Sequence, residues 1–242
     1  GARIAAALDG AGIAAAMSSV AGESRRTVSV VSAATGGSTL FNEPGPHVQG
    51  MEWQGVLATY ARFVPRARVI VMSGSLPPGV PQDAYAELGR VAHGSGVTVI
   101  VDADGRVLER SLAAAPDVVK PNSAELRAAT GVEGVEPAMR ALLDAGARAV
   151  VATFGVDGIR AVTPDGAWSA RLEAAVTGVN PTGAGDAVAA ALAAGLEDER
   201  ELPAILADAV AWSAAAVAAP LAGELDPGVL ASAPASVRVE PA

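Results

Sequence analysis

The residues with most chemical potential stand in "NPTGAGDAVAAALAAGL", Asn180 to Leu196. Gly183, Ala184 and Gly185 precede a carboxylate, Asp186, where a strongly helical Ala-rich run begins. Consecutive small residues let backbone N–H groups point at one spot, and the following helix adds the positive end of its dipole. Such a cradle stabilises the charge of a transferring phosphoryl group. Asp186, at the first turn, is placed to accept a proton from an attacking hydroxyl. The same residues also make a plain helix cap with glycines for tight packing, and for a bare Gly-x-Gly-Asp that use is the commoner one.

"KPNSAE", Lys120 to Glu125, sets a Lys, an amide and a carboxylate at a strand–helix junction, where Pro121 is expected to end the strand's pairing. Asn122 and Glu125, three apart, can share one side of a first helical turn and hold a hydrated Mg²⁺, an ion that takes few protein ligands. Mutual capping accounts for them equally well. "SGSLPPG" (Ser73–Gly79) places the Ser75 hydroxyl between a glycine and a rigid Pro-Pro turn. "GESRR" (Gly22–Arg26) sets two Arg side chains at the base of an early hairpin, suited to a phosphate or simply to solvent. "DADG" (Asp102–Gly105) and "TFGVDG" (Thr153–Gly158) complete five polar, glycine-rich strand ends, the places where open parallel sheets bind ligands. A Walker-type G-x-x-x-x-G-K-[ST] is absent, and His47 and His93 lack ligand spacing; Trp53, Trp168 and Trp212 read as packing.

The elements that must position these residues follow from patterning. The chain of 242 residues suits one large α/β domain. Half of it is apolar but only 3% is aromatic, so the core rests on aliphatic packing. A net charge of −9 without a basic block argues against nucleic acid as a partner. The absence of Cys excludes disulfides and Cys-based metal sites and fits a reducing cytoplasm. No unbroken apolar run reaches the roughly 18 residues of a membrane helix.

"RIAAALDGAGI" predicts a helix ended by Gly and followed by a strand, and a start without Met points to a partial or trimmed chain. Thr27–Ala33 and Ser38–Asn42 flank "ATGG" as a hairpin with a Gly-Gly turn, projecting as a flap over about residues 25–45. Helices are expected near 51–63, 82–93, 106–115, 123–130 and 136–145, alternating with the strands "ARVIVMSG", "VTVIVDAD", "DVVKPN" and "RAVVATFG". Such alternation implies a mostly parallel sheet covered on both faces. Gly158–Leu172 reads as an antiparallel edge hairpin over "PDG", and Gly185–Ala219 as mostly helical.

In combination, "NPTGAGDAV" preceded by "SGSLPPG", "KPNSAEL" and "TFGVDG" resembles the ribokinase-like (PfkB-type) sugar kinase family over nearly the whole chain. "GESRRTVSVV…FNEPGP" and "SGSLPPGVP" resemble its phosphosugar branch of 1-phosphofructokinase, minor 6-phosphofructokinase and tagatose-6-phosphate kinase. The resemblance implies a single three-layer α/β domain over 1–242, with a small β-hairpin flap that mediates a homodimer. It implies ATP and Mg²⁺ as cofactors and a phosphosugar as substrate: fructose 1-phosphate first, with fructose 6-phosphate or tagatose 6-phosphate as alternatives.

Carried over, Asp186 becomes the base and Gly183, Ala184 and Gly185 the anion hole. Asn122 and Glu125 position Mg²⁺, and Lys120 faces the nucleotide phosphates. Thr153, Gly155 and Gly158 match the nucleotide-side pattern, with Thr in place of the usual Ser. Arg25 matches the substrate-phosphate arginine and Ser75 its hydroxyl partner, although Arg26 can instead take that role; Asp102 is assigned to substrate binding. Asp104 stands where relatives often carry Ser.

The family's opening strand with a sugar-binding Asp, and its Gly-Gly loop, have no counterpart, which should leave apolar sheet edge and helix faces exposed. Other readings are a nucleotide-binding remnant without catalysis, or a ribokinase-type kinase of an unphosphorylated sugar or nucleoside. A Rossmann dehydrogenase lacks its glycine fingerprint.

Overall fold

The runs "VIVMS", "TVIVD" and "VVAT" are too short and too β-branched for helices, and they form neighbouring parallel strands. The computed structural model describes residues 1–31, 38–174 and 176–242. Its helices are α1 (Ala2–Gly10), α2 (Gly50–Phe63), α3 (Ala84–His93), α4 (Gly105–Ser111), α5 (Ser123–Thr130), α6 (Val135–Asp144), α7 (Ala184–Glu197), α8 (Leu202–Ala218) and α9 (Pro227–Ser232). The strands are β1 (Thr27–Val31), β2 (Ser38–Asn42), β3 (Val69–Ser73), β4 (Thr98–Asp102), β5 (Val118–Val119), β6 (Val150–Thr153), β7 (Ile159–Thr163), β8 (Gly166–Leu172) and β9 (Val237–Pro241).

Strands β3 to β9 form one seven-stranded sheet in sequence order, parallel from β3 to β6 and antiparallel from β6 to β9. Alternate side chains feed two cores. Val99, Val101, Val119 and Val150 pack with Leu88, Leu108, Leu126 and Met139 on one face. Ile100, Val118, Val151 and Ala161 pack with Val188, Leu192, Ile205 and Leu206 on the other. The result is the expected three-layer α/β arrangement, with a mostly aliphatic core. No helix of the described residues is long and apolar enough to cross a membrane.

β1 and β2 form a separate two-stranded antiparallel sheet. Its anticipated Gly-Gly turn, and the end of the expected first strand, lie outside the described residues.

The structure departs from expectation in several places. Residues 13–20 form coil rather than a strand. A strand exists only where a neighbour takes up its backbone groups, and among the described residues none pairs there. Expected pairing does not stop at Pro121: its carbonyl accepts the Thr153 N–H at 3.1 Å, and Asn122 and Thr153 form a further parallel bridge. Pro removes only the donor, so the acceptor side of the ladder continues. The helix expected over 106–115 ends at Ser111 and tightens into a 3₁₀ turn over Leu112–Ala114. α9 and β9 were not anticipated; β9 extends the sheet beyond β8. At the opposite edge, Val71 of β3 is exposed, and α1 buries none of its residues.

Candidate active site

The ends of the parallel strands bring the polar segments together. β3 and β4 run in register, which sets Ser73 beside Asp102, and β5 delivers Lys120 immediately next to them. From the other face, α7 points its N-terminus at the same place. Gly183 caps it at φ +93°, a left-handed conformation that favours glycine, and a Cβ there would come within 3.2 Å of the Gly223 nitrogen. The Ala184 N–H turns back to the Pro181 carbonyl and the Ala187 N–H to that of Gly183. The N–H groups of Gly183, Gly185 and Asp186 take no protein acceptor among the described residues. Asn180 shapes the approach: its Oδ1 accepts the Thr182 N–H at 3.0 Å, and its Nδ2 donates to the Pro220 carbonyl at 3.3 Å. Asp186 itself is exposed, on the first turn of α7.

Lys120 lies beneath this turn, only 4% exposed, with its Nζ 3.0 Å from Asp102 Oδ1 and 3.4 Å from where a Cβ on Gly185 would stand. Burial raises the Asp102 carboxyl above the usual carboxylate range; Lys120 opposes the rise and the charge of Asp186 adds to it. Asp102, expected to bind substrate, is here the charge partner of Lys120; and Lys120, expected to face nucleotide phosphates, is held down by Asp102.

Asn122 and Glu125 form the reciprocal cap. Asn122 Oδ1 accepts the N–H groups of Ala124 and Glu125, and the two Glu125 oxygens accept the Asn122 N–H at 2.8 Å and its Nδ2 at 2.6 Å. Glu125 is also raised, first by burial, with Asp102 and Asp104 adding their negative charge and Lys120 opposing it. Thr153 sits beside Asn122 through the strand bridge. Gly155 opens the exposed turn that follows, whereas Gly158 (φ +86°) is held to glycine by the fold: a Cβ there would meet the Ala170 carbonyl at 2.2 Å.

A second polar region lies under the two-stranded sheet. The Arg25 guanidinium donates to Ser75 Oγ at 2.7 Å, across 50 residues of sequence. Arg26 is engaged elsewhere, with its N–H on Glu43 Oε2 at 2.9 Å and its Nε 3.4 Å from Oε1. The two adjacent arginines are thus divided between a structural ion pair and a cavity of about 370 Å³ lined by Arg25, Asn42, Glu43, Ser75, Pro78 and Gln82, among others.

Tyr85 escaped the sequence reading. It is buried, its hydroxyl donates to the Gly74 carbonyl at 3.0 Å, and burial with the nearby Asp102 charge pushes it up to about 12. It steadies the turn bearing Ser75, but a lone Tyr on an amphipathic helix carries no signal that separates it from core. Asn180 was more accessible, since Asn before a Pro-containing turn is a recognisable backbone-bonding residue.

The pfkB family carbohydrate kinase model matches residues 1–227. A 1-phosphofructokinase of Xanthomonas campestris pv. campestris is 36% identical over 189 residues, 74% of this chain and 59% of that protein. One of Rhodobacter capsulatus is 36% identical over 178 residues, 71% of this chain and 56% of that protein. The chain thus spans less than two thirds of the length of these curated relatives. The structure of phosphofructokinase-2 from Escherichia coli in complex with potassium superposes with a TM-score of 0.86 at 24% identity, covering 97% of this chain and 77% of that one, so the architecture is the ribokinase-like α/β fold. With the model matched from the first helix through the start of α9, and with sequence identity well above what a shared fold alone produces, the chain belongs to the pfkB family of carbohydrate kinases.

Proposed function

We propose that this chain transfers the γ-phosphoryl group of ATP to a hydroxyl of a phosphosugar, with fructose 1-phosphate as the first candidate. The observation that carries the reading is the exposed Asp186 carboxylate on the same helical turn as the Gly183 and Gly185 N–H groups, which take no protein acceptor among the described residues, above the buried Lys120 ammonium. In the step, the acceptor O–H bond breaks and its proton passes to Asp186. The oxygen then bonds to the γ-phosphorus as the bond to the bridging oxygen of ADP breaks in line. In this reading the amides of Gly183 and Gly185, the helix dipole and Lys120 oppose the charge on the migrating group, while the Ala184 N–H, bonded to the Pro181 carbonyl, shapes the turn.

Arg25 and Ser75 suit the substrate's own phosphate. Both belong to one cavity, and a guanidinium with a hydroxyl offers directed donors to phosphate oxygens. Thr153 and Gly155 lie on the nucleotide side of this reading.

The residues present fit a hydrated magnesium ion. Asp102, Asp104 and Glu125 hold negative charge near one another with Lys120 as counter-charge, yet among the described residues no three carboxylate or His side chains converge to chelate a metal. An ion that keeps most of its waters is the kind such a site takes, and Asn122 and Glu125 would hold it through those waters. When bound, it would screen the phosphate charges.

A coupled assay with fructose 1-phosphate, fructose 6-phosphate and tagatose 6-phosphate tests the reading. Turnover is expected in the native chain, and Asp186→Asn should lower kcat by about 10²–10⁴-fold while leaving affinity for a non-hydrolysable ATP analogue unchanged. Turnover indifferent to that substitution would remove Asp186 as the base. Nucleotide binding without turnover of any sugar would identify a non-catalytic binding protein.

A further inference from the structure

Arg25 lies on coil between α1 and β1, so no helix or strand of its own fixes where its guanidinium points. On its C-terminal side the chain is tied at once, by the Arg26 N–H to Glu43. On its N-terminal side the Ala21 N–H donates to Glu52 Oε1 at 2.6 Å, a contact between residues 31 apart in sequence. The other Glu52 oxygen accepts the Gln49 N–H at 2.7 Å, at the start of α2. Glu52 is therefore a two-handed carboxylate, with one hand on the first turn of α2 and the other on the segment leading to Arg25. Its neighbour Trp53 is buried in the main core, so this end of α2 is rigid.

We propose that Glu52 is a positioning residue for Arg25: it joins the coil of residues 21–25 to α2 and so holds the guanidinium over Ser75 before any substrate arrives. The proposal rests on the reading of Arg25 as the ligand of the substrate's phosphate. An arginine on an untethered segment must be ordered when it binds, and that ordering is subtracted from affinity; a tether removes the cost in advance. The carboxylate suits the task because it accepts two backbone donors at once beside a helix N-terminus. In keeping with this, the Gln49 and Ala21 N–H groups, with His47 contributing, hold the Glu52 carboxyl below its ordinary range.

Calorimetric titration of fructose 1-phosphate and of a non-hydrolysable ATP analogue into the native chain, Glu52→Gln, Arg25→Ala and the double variant tests the tether. Glu52→Gln is expected to weaken fructose 1-phosphate by roughly tenfold, the size of one charge-assisted hydrogen bond, with the ATP analogue unaffected. In the Arg25→Ala background the same change should cost nothing more, a coupling that general damage to the fold would not produce. Ala21→Pro removes the donor while leaving Glu52 in place and should give the same selective loss, which keeps the test open should Glu52→Gln fold poorly. Native fructose 1-phosphate affinity in Glu52→Gln, additive losses in the double variant, or an equal loss for the ATP analogue would each overturn the proposal. A native chain that binds no phosphosugar would instead overturn the phosphosugar reading beneath it.

Discussion

Two carboxylates respond to their surroundings in opposite senses. Asp102 is raised, chiefly by burial, so the folded protein holds that proton more tightly than the unfolded chain does. Its contribution to stability is complete below the ordinary carboxylate value of about 4 and is lost as pH rises through the folded value. Glu52 is lowered, so its contribution is present above its unfolded value and is lost as pH falls through the folded one. Urea midpoints measured across mildly acidic pH should show a shallower decline with rising pH in Asp102→Asn and a shallower decline on acidification in Glu52→Gln. Unchanged slopes in both would contradict these environments. At this scale the chemical types were legible in "TGAGD", "KPNSAE" and "DADG", but their partners were not. Nothing in one-dimensional spacing joins Asp102 to Lys120 or chooses Arg25 over Arg26 for Ser75; adjacency of β4 and β5, and the engagement of Arg26 by Glu43, make those choices.

Among the elements, the turn between β6 and β7 holds two glycines in unlike surroundings. Gly158 carries a positive φ and no room for a Cβ beside the Ala170 carbonyl. Gly158→Ala should cost about 2 kcal/mol or more, read as a lower denaturant midpoint with or without nucleotide. Gly155, with open space around it, should tolerate Ala with less loss of stability. The β7–β8 hairpin was readable because Pro-Asp-Gly between apolar runs has a turn mechanism. β9 was not, since "VRVEP" becomes a strand only by adding to β8, across a long stretch of helix. The coil at 13–20 is the converse: a strand-like composition without a partner to pair with.

For the whole molecule, exposed apolar surface is the main unspent interaction. On the two-stranded sheet, Val28 lies opposite Phe41 in the register, and Val28, Val30 and Phe41 are all more than half exposed, at 55%, 52% and 60%. A ribbon of two strands is marginal by itself, and an apolar face of this kind calls for cover. Two such ribbons meeting across a two-fold axis would cover it, the homodimer that the family resemblance implies. Symmetry counts each contact twice, and burying a Phe contributes about 1.5–3 kcal/mol. Phe41→Asp should therefore convert a sedimenting dimer to monomer; a native chain that sediments as a monomer at micromolar concentration would exclude this interface.

The layering and the available chemistry are written locally along the chain. Strand and helix periodicities are local, and a phosphoryl cradle needs small residues, a helix start and a carboxylate in immediate succession. Which groups act together was settled by the folding of distant segments onto one another. The pairing of Lys120 with Asp102, the reach of Arg25 to Ser75 and the grip of Glu52 on Ala21 all join residues distant in the chain. Such contacts depend on which strands lie side by side and which loops fold over them, and hydrogen bonds and ion pairs act over a few ångströms of space whatever the separation along the chain.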